Sequence, residues 1–205
     1  AFAVEALDRV GDRPISFEVF SDQFDEMEHQ AHEIASWGPN VYVKIPVTNT
    51  RGDFSGDLVR RLSSAGIQVN VTALLTVEQV ARVADCLARE TRSFISLFAG
   101  RIADTGLDPV PHVGRAVEVL RVCPRAQLIW ASPRELLNVI QADQIGCHVI
   151  TATNDVLKKL FLIGKNLDEF SLETVQMFRD DALAAGYAIN VTQPVGQGNP
   201  RSPER

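Results

Sequence analysis

Short apolar runs recur along this chain, and a helix-patterned stretch follows nearly every one. The runs are ISFEVF (15–20), VYVKIPV (41–47), VNVTALL (69–75), FISLFAGRI (94–102), QLIWAS (127–132) and CHVIT (147–151). Helical patterning covers 22–37, 53–65, 76–90, 112–122, 133–141, 154–162 and 172–185, and the opening AFAVEALDRV reads as a helix too. Near-continuous apolar runs are what strands buried on both faces need, and their alternation with helices predicts βα units and a parallel sheet. The class is therefore α/β, in one of two architectures. An open dinucleotide-binding sheet calls for a GxGxxG turn after its first strand, and none follows ISFEVF. A β/α barrel instead gathers reactive side chains at the C-terminal ends of several strands. Polar or charged residues interrupt or end these runs repeatedly, so the expectation is a β/α barrel.

With 205 residues the chain can build one sizeable core, taken here as a single domain over 1–190. The Pro-, Gly- and Gln-rich stretch 191–205 is expected to be a disordered tail. A net charge of -6 argues against nucleic-acid or anionic-membrane partners, while leaving room for a local basic pocket. No apolar run is long enough to span a bilayer. Cys86, Cys123 and Cys147 are widely spaced and form no CxxC pair, which suits a reducing, cytoplasmic setting without a disulfide or zinc framework. His29 and His32 share a helix face, yet no third ligand joins them, and no metal site is expected.

Lys44 is the sharpest chemical signal. It breaks a run that should be fully buried, and burial favours a neutral amine able to attack a carbonyl. A structural lysine paired to an interior carboxylate would give the same pattern. Glu18 interrupts ISFEVF similarly, either as a proton carrier for that amine or simply as its partner. Asn70 and Thr72 alternate with valines and so face one side of their strand. Arg101 lies near the end of FISLFAGRI, while Ser132 and Arg134 lie at an expected strand-to-helix turn; an arginine fork and free backbone N–H groups there suit a phosphate, and two surface arginines in ordinary ion pairs are the alternative. Thr76 and Gln79 form a capping-box pattern. Asp104 and Asp108 read as solvated or capping residues.

In this order and spacing, VYVKIPVT, VNVTALLT, FISLFAGRI, LIWASPRE and SLETVQMF resemble the transaldolase family, including its shorter fructose-6-phosphate-aldolase-like members. The resemblance runs from about residue 15 to 189. It implies a (β/α)8 barrel that passes a dihydroxyacetone unit from a ketose phosphate to an aldose phosphate, with no cofactor. Lys44 then matches the Schiff-base lysine, Glu18 the acid that works with a catalytic water, and Thr72 the threonine that positions that water. Asn70, Ser96 and Phe98 match substrate-pocket residues, and Arg101, Ser132 and Arg134 the phosphate-binding group. Glu18 and Phe98 favour the transferase over the aldolase branch, which usually carries glutamine and tyrosine there. Pro133 departs from the bulky aromatic common at its position, which puts donor specificity in doubt. The family also implies a cytoplasmic, pentose-phosphate-type role. Its short members form homo-oligomers, pentamers or decamers, in which the 170–187 region could pack on a neighbour.

Only six strands are counted against the family's eight. The family's first-strand aspartate and second-strand Thr-Asn-Pro segment have no counterpart here. Together with a start at Ala1 inside a helix, this reads as a chain lacking its first two strands, since open parallel edges are costly. The alternative from another class is an inactive sugar-phosphate-binding homologue.

Overall fold

The computed structural model describes residues 2–189, which fall into two compact units meeting at residues 160 and 161. The first unit opens with α1 (Phe2–Val10) and carries six strands: β1 (Ile15–Glu18), β2 (Val41–Pro46), β3 (Val69–Leu74), β4 (Ser93–Leu97), β5 (Ala126–Trp130) and β6 (Val149–Ile150). The helices among and after them are α2 (Phe24–Ala35), α3 (Gly56–Ser64), α4 (Val77–Ala84), α5 (Ala99–Asp104), α6 (Pro109–Leu120), α7 (Leu137–Gln144) and α8 (Asn154–Leu157).

All strand pairs are parallel, and their spatial order is their chain order, β1 to β6. A doubly wound sheet reverses its order at a switch point. This one never does, so each crossover adds the next strand on the same side, as in a β/α barrel. The fold is six strands of that barrel, with β1 and β6 at the sheet edges among the described residues.

Period-2 alternation sorts the side chains into two faces. Val41, Val43, Ile45, Val69, Val71, Ile95, Leu97, Leu128 and Trp130 turn outward into the main core. There they meet Met27 and Ala31 of α2, Leu58 and Leu62 of α3, Val80 and Val83 of α4, and Val113 and Ala116 of α6. The inner face carries a second apolar cluster of Tyr42, Phe94 and Ile129 with Val149 against it. The Tyr42 and Phe94 rings lie 4.4 Å apart. Apolar side chains thus fill the lower barrel, and the polar positions cluster toward the strands' C-terminal ends.

Two boundaries differ from the sequence expectation in ways that matter for the site. FISLFAGRI is not one strand: β4 stops at Leu97 and α5 begins at Ala99, so Arg101 sits on a helix. Ala99 and Ile102, three apart, are both buried, and a continuous apolar run does not distinguish that helical spacing from a strand. The helix expected from 133 begins only at Leu137, because the Asn138 side chain accepts from the Arg134 and Glu135 backbone N–H groups and holds them in a loop.

Thr76 caps α4 as its spacing predicts. Its hydroxyl accepts from the Gln79 N–H at 3.1 Å, and Gln79 Oε1 accepts from Leu75 and Thr76. Replacing Thr76 with Ala is expected to lower stability by about 1 kcal/mol. Urea denaturation should show this as a shifted midpoint with an unchanged slope.

The second unit, described over 161–189, is built on α9 (Leu167–Ala184). Asn166 caps it by accepting from the Asp168 and Glu169 N–H groups, and Lys165 pairs with Glu173. The tail over 191–205 lies outside the described residues.

Candidate active site

Register places Glu18, Lys44 and Asn70 side by side on three successive strands, all on the inner face. Lys44 Nζ donates to Glu18 Oε2 at 3.1 Å. Neither side chain is sealed off: Lys44 keeps 31% and Glu18 44% of its exposure. The full burial expected for Lys44 is therefore not met. Its amine reaches Glu18 on edge strand β1, and the side chain is partly rather than fully buried.

Beside this pair lies a polar network in which Asn70 and Ser96 are buried and Ser16 partly so. Asn70 Nδ2 donates to Ser16 Oγ at 3.0 Å, and Ser96 Oγ donates to Asn70 Oδ1 at 2.8 Å. Asn70 is thereby fixed in rotamer and amide orientation, with the Lys44 amine on the neighbouring strand. Thr72 follows two residues on and is 2% exposed. Its Oγ1 is buried and has no hydrogen-bond partner among the described residues. A buried hydroxyl without a partner costs free energy, so it calls for an explanation.

The local backbone supplies a further clue that sequence reasoning missed. Between β3 and β4 the register runs from Val71↔Ile95 to Leu74↔Leu97, so β3 contains one extra residue. Ala73 takes that place with φ of 65°, a left-handed conformation uncommon for a residue with a Cβ. Bulges of this kind re-aim side chains at the rims of barrels. Here the bulge falls directly after Thr72. Nothing in the composition of VNVTALL signals it.

Ser132 is the other non-glycine residue with positive φ among the described residues, at 58°. It leaves the end of β5 in this strained conformation, with its N–H donating to Thr151 Oγ1 at 3.1 Å. Arg134 follows on the same loop and forks onto Asp104 of α5. Its Nε donates to Oδ1 at 2.8 Å and its Nη2 to Oδ2. These hydrogen bonds hold the Asp104 carboxyl below the usual carboxylate range. Arg101 rises from the same short helix, its guanidinium 5.7 Å from the centre of the Phe98 ring. The structure thus brings Phe98, Arg101 and Arg134 to the start and flank of α5.

The backbone part of the expected anion site is not available. The N–H groups of Ser132, Arg134 and Glu135 are all engaged by protein side chains. An anion at this position has to be held by side chains. Asp104, read from sequence as solvated or capping, is instead the partner of Arg134; Asp108 does cap, accepting from the Val110 N–H. Gly100 was not singled out at all. A Cβ built on it would lie 1.5 Å from the Ser132 carbonyl oxygen, so the Ser132 loop rests directly on the glycine.

A second cluster ties the loops after β1 and β2 together. Asp22 accepts from the Thr50 N–H and from its hydroxyl, each at 2.7 Å. The backbone N–H first, and then the hydroxyl, keep the Asp22 carboxyl below its ordinary range.

Comparison with known proteins finds a family and relatives for the chain. The family profile described as Transaldolase/Fructose-6-phosphate aldolase matches residues 1–192. The probable transaldolase 2 of Listeria monocytogenes is 32% identical over 171 residues, covering 82% of this chain and 75% of that protein. The probable transaldolase of Streptococcus agalactiae is 33% identical over 82% of this chain and 76% of its own length. That of Thermoanaerobacter is 30% identical over 91% and 81%. Among solved structures, a mandelate oxidase variant with a monooxide FMN adduct superposes with a TM-score of 0.53 at 17% identity. The match covers 72% of this chain and about half, 50%, of that one, and is a likeness of fold alone. Profile and relatives agree over most of the described residues: the chain belongs to the transaldolase/fructose-6-phosphate aldolase family.

Proposed function

We propose that this chain is a transaldolase that transfers a dihydroxyacetone unit from a ketose phosphate to an aldose phosphate through an imine on Lys44. The observation that carries the reading is the inner-face pair, Lys44 Nζ at 3.1 Å from Glu18 Oε2. That distance lies within the reach required of a general base and the amine it serves. Glu18 takes a proton from the Lys44 ammonium, and the freed amine attacks the ketose C2 carbonyl. The resulting carbinolamine loses water to give a protonated imine. The C4 hydroxyl then gives its proton to water as the C3–C4 bond breaks, and the bond's electron pair flows into the imine to leave an enamine on Lys44. The first aldose phosphate departs. The enamine carbon attacks the carbonyl of the second, and water hydrolyses the new imine. The imine itself is the electron sink, so the chemistry asks for no metal or organic cofactor.

The remaining assignments follow the same logic. Thr72 Oγ1, buried and without a partner among the described residues, is suited to hold the water that enters and leaves. Asn70, locked between Ser16 and Ser96, is suited to a substrate hydroxyl. Phe98 lines the pocket. Arg101, Arg134 and the Ser132 hydroxyl receive the phosphate. The reading extends to a cytoplasmic enzyme of pentose-phosphate-type metabolism that assembles as a homo-oligomer. The names of the relatives support the transferase, as does glutamate rather than glutamine at position 18. The second reading is the aldolase that the family profile also includes, which would release free dihydroxyacetone.

Borohydride trapping tests the proposal. Incubation with fructose 6-phosphate, reduction and peptide mass spectrometry should find a reduced three-carbon adduct on Lys44. A folded protein that gives no adduct there with any ketose phosphate would sink the enzymatic reading in favour of a sugar-phosphate-binding homologue. Free dihydroxyacetone released without an acceptor aldose would favour the aldolase.

A further inference from the structure

We propose that Asp104 is a positioning residue for phosphate recognition, fixing which edge of the Arg134 guanidinium is presented to the substrate. The inference rests on the phosphate role just given to Arg134. A guanidinium offers two hydrogen-bonding edges, one formed by Nε and Nη2 and the other by the two Nη atoms. Asp104 occupies the first completely, with Oδ1 on Nε at 2.8 Å and Oδ2 on Nη2. Only the second edge is left for an anion. Without Asp104 the long Arg134 side chain would sample many rotamers, and ordering it would count against binding.

Other features of the loop point the same way. The Arg134 N–H is fixed by Asn138 Oδ1 at 2.8 Å, so the backbone from which the side chain springs is already placed. The Arg134 guanidinium carbon lies 3.3 Å from a Cβ built on Gly100, which sets the fork against the first turn of α5. Asp104 and Arg101 stand on that same helix, three residues apart. One short helix therefore carries a cation for the phosphate and the carboxylate that orients the second cation. With the neighbouring backbone N–H groups engaged elsewhere, the side-chain geometry is what selects the anion.

The variant Asp104→Asn tests this with little change in shape. Asparagine offers one acceptor and one donor to the guanidinium edge, so the two-point pairing fails while the half-exposed position tolerates the swap. Titration with inorganic phosphate, read by calorimetry, should show affinity weakened roughly tenfold, or about 1.4 kcal/mol. KM for fructose 6-phosphate should rise by a similar factor while kcat changes less, a split that a general loss of stability would not produce. Unchanged or tighter phosphate binding in Asp104→Asn would overturn the proposal, since Asp104 would then be a bystander or a competing counter-ion. Arg134→Met separates the two levels of the argument. If it leaves phosphate affinity intact, the phosphate reading of Arg134 itself fails. If it abolishes binding while Asp104→Asn does not alter it, only the positioning role fails.

Discussion

Lys44→Arg is expected to abolish both imine trapping and transfer activity while leaving the fold intact. Arginine keeps the positive charge and can still pair with Glu18, but its guanidinium stays protonated and forms no imine. A structural lysine and a catalytic one therefore give opposite results. If Lys44 merely neutralises Glu18 inside the sheet, the arginine variant should behave like the parent. If Lys44 is the nucleophile, the loss should be complete within detection. No other lysine among the described residues lies on the sheet: Lys158 and Lys159 follow α8, and Lys165 pairs with Glu173. A reduced adduct on Lys158 or Lys159 would move the chemistry elsewhere. Glu18→Gln is the companion variant. It retains a hydrogen-bond acceptor but not a base, and should slow imine formation by about 10²- to 10⁴-fold. Glu18 keeps 44% of its exposure, so its carboxylate remains solvated when Lys44 is changed. Chemical denaturation of Lys44→Arg should therefore lie close to that of the parent, and the assay then reports chemistry alone.

The sequence made the inner-face pair legible because a charged residue inside an apolar run has few places to go. Lys44 and Glu18 each break a run that is otherwise apolar at the alternate positions, and parallel register does the rest. Asn70 and Thr72 were legible for the same reason. The extent of their burial was not: Thr72 is sealed while Lys44 stays partly exposed beside edge strand β1. The phosphate side was less legible. FISLFAGRI reads as one strand because Ala99 and Ile102 are apolar, although they belong to a helix. Arg134 carries no mark of its partner, since Asp104 lies thirty residues earlier and meets it only where the loop after β5 packs against α5. The side chain of Asn138 takes the N–H groups expected to be free, and a helix-start pattern alone does not reveal such a substitution. Local periodicity thus located the strands and the residues within them. What joins one strand end to the next depends on contacts between loops, and these leave little trace in a single sequence.

Gly100→Ala should cost about 1–3 kcal/mol of stability, the range for forcing atoms into a filled space, and should impair phosphate binding as well. The added methyl would sit 1.5 Å from the Ser132 carbonyl oxygen and 2.7 Å from its carbon. Both are backbone atoms, so rotating a side chain offers no relief. The loop has little freedom to retreat, because Ser132 is already in a left-handed conformation and its N–H is held by Thr151. The loop must shift, and with it Arg134 two residues on. Gly114→Ala provides the matched comparison. Gly114 lies within α6, and a Cβ there meets nothing within 4 Å. Alanine in an open helical position should stabilise by roughly 0.5–1 kcal/mol. The same chemical change is thus expected to act with opposite sign at two glycines, one resting against the Ser132 loop and one in open space. Urea denaturation of both variants, with phosphate titration of each, reads the contrast directly. Loss of stability at Gly100 with unchanged phosphate affinity would show that the Ser132 loop can move without carrying Arg134. Equal stability for both variants would mean that the close approach at Gly100 relaxes freely, and the loop would then be no rigid support for an anion site.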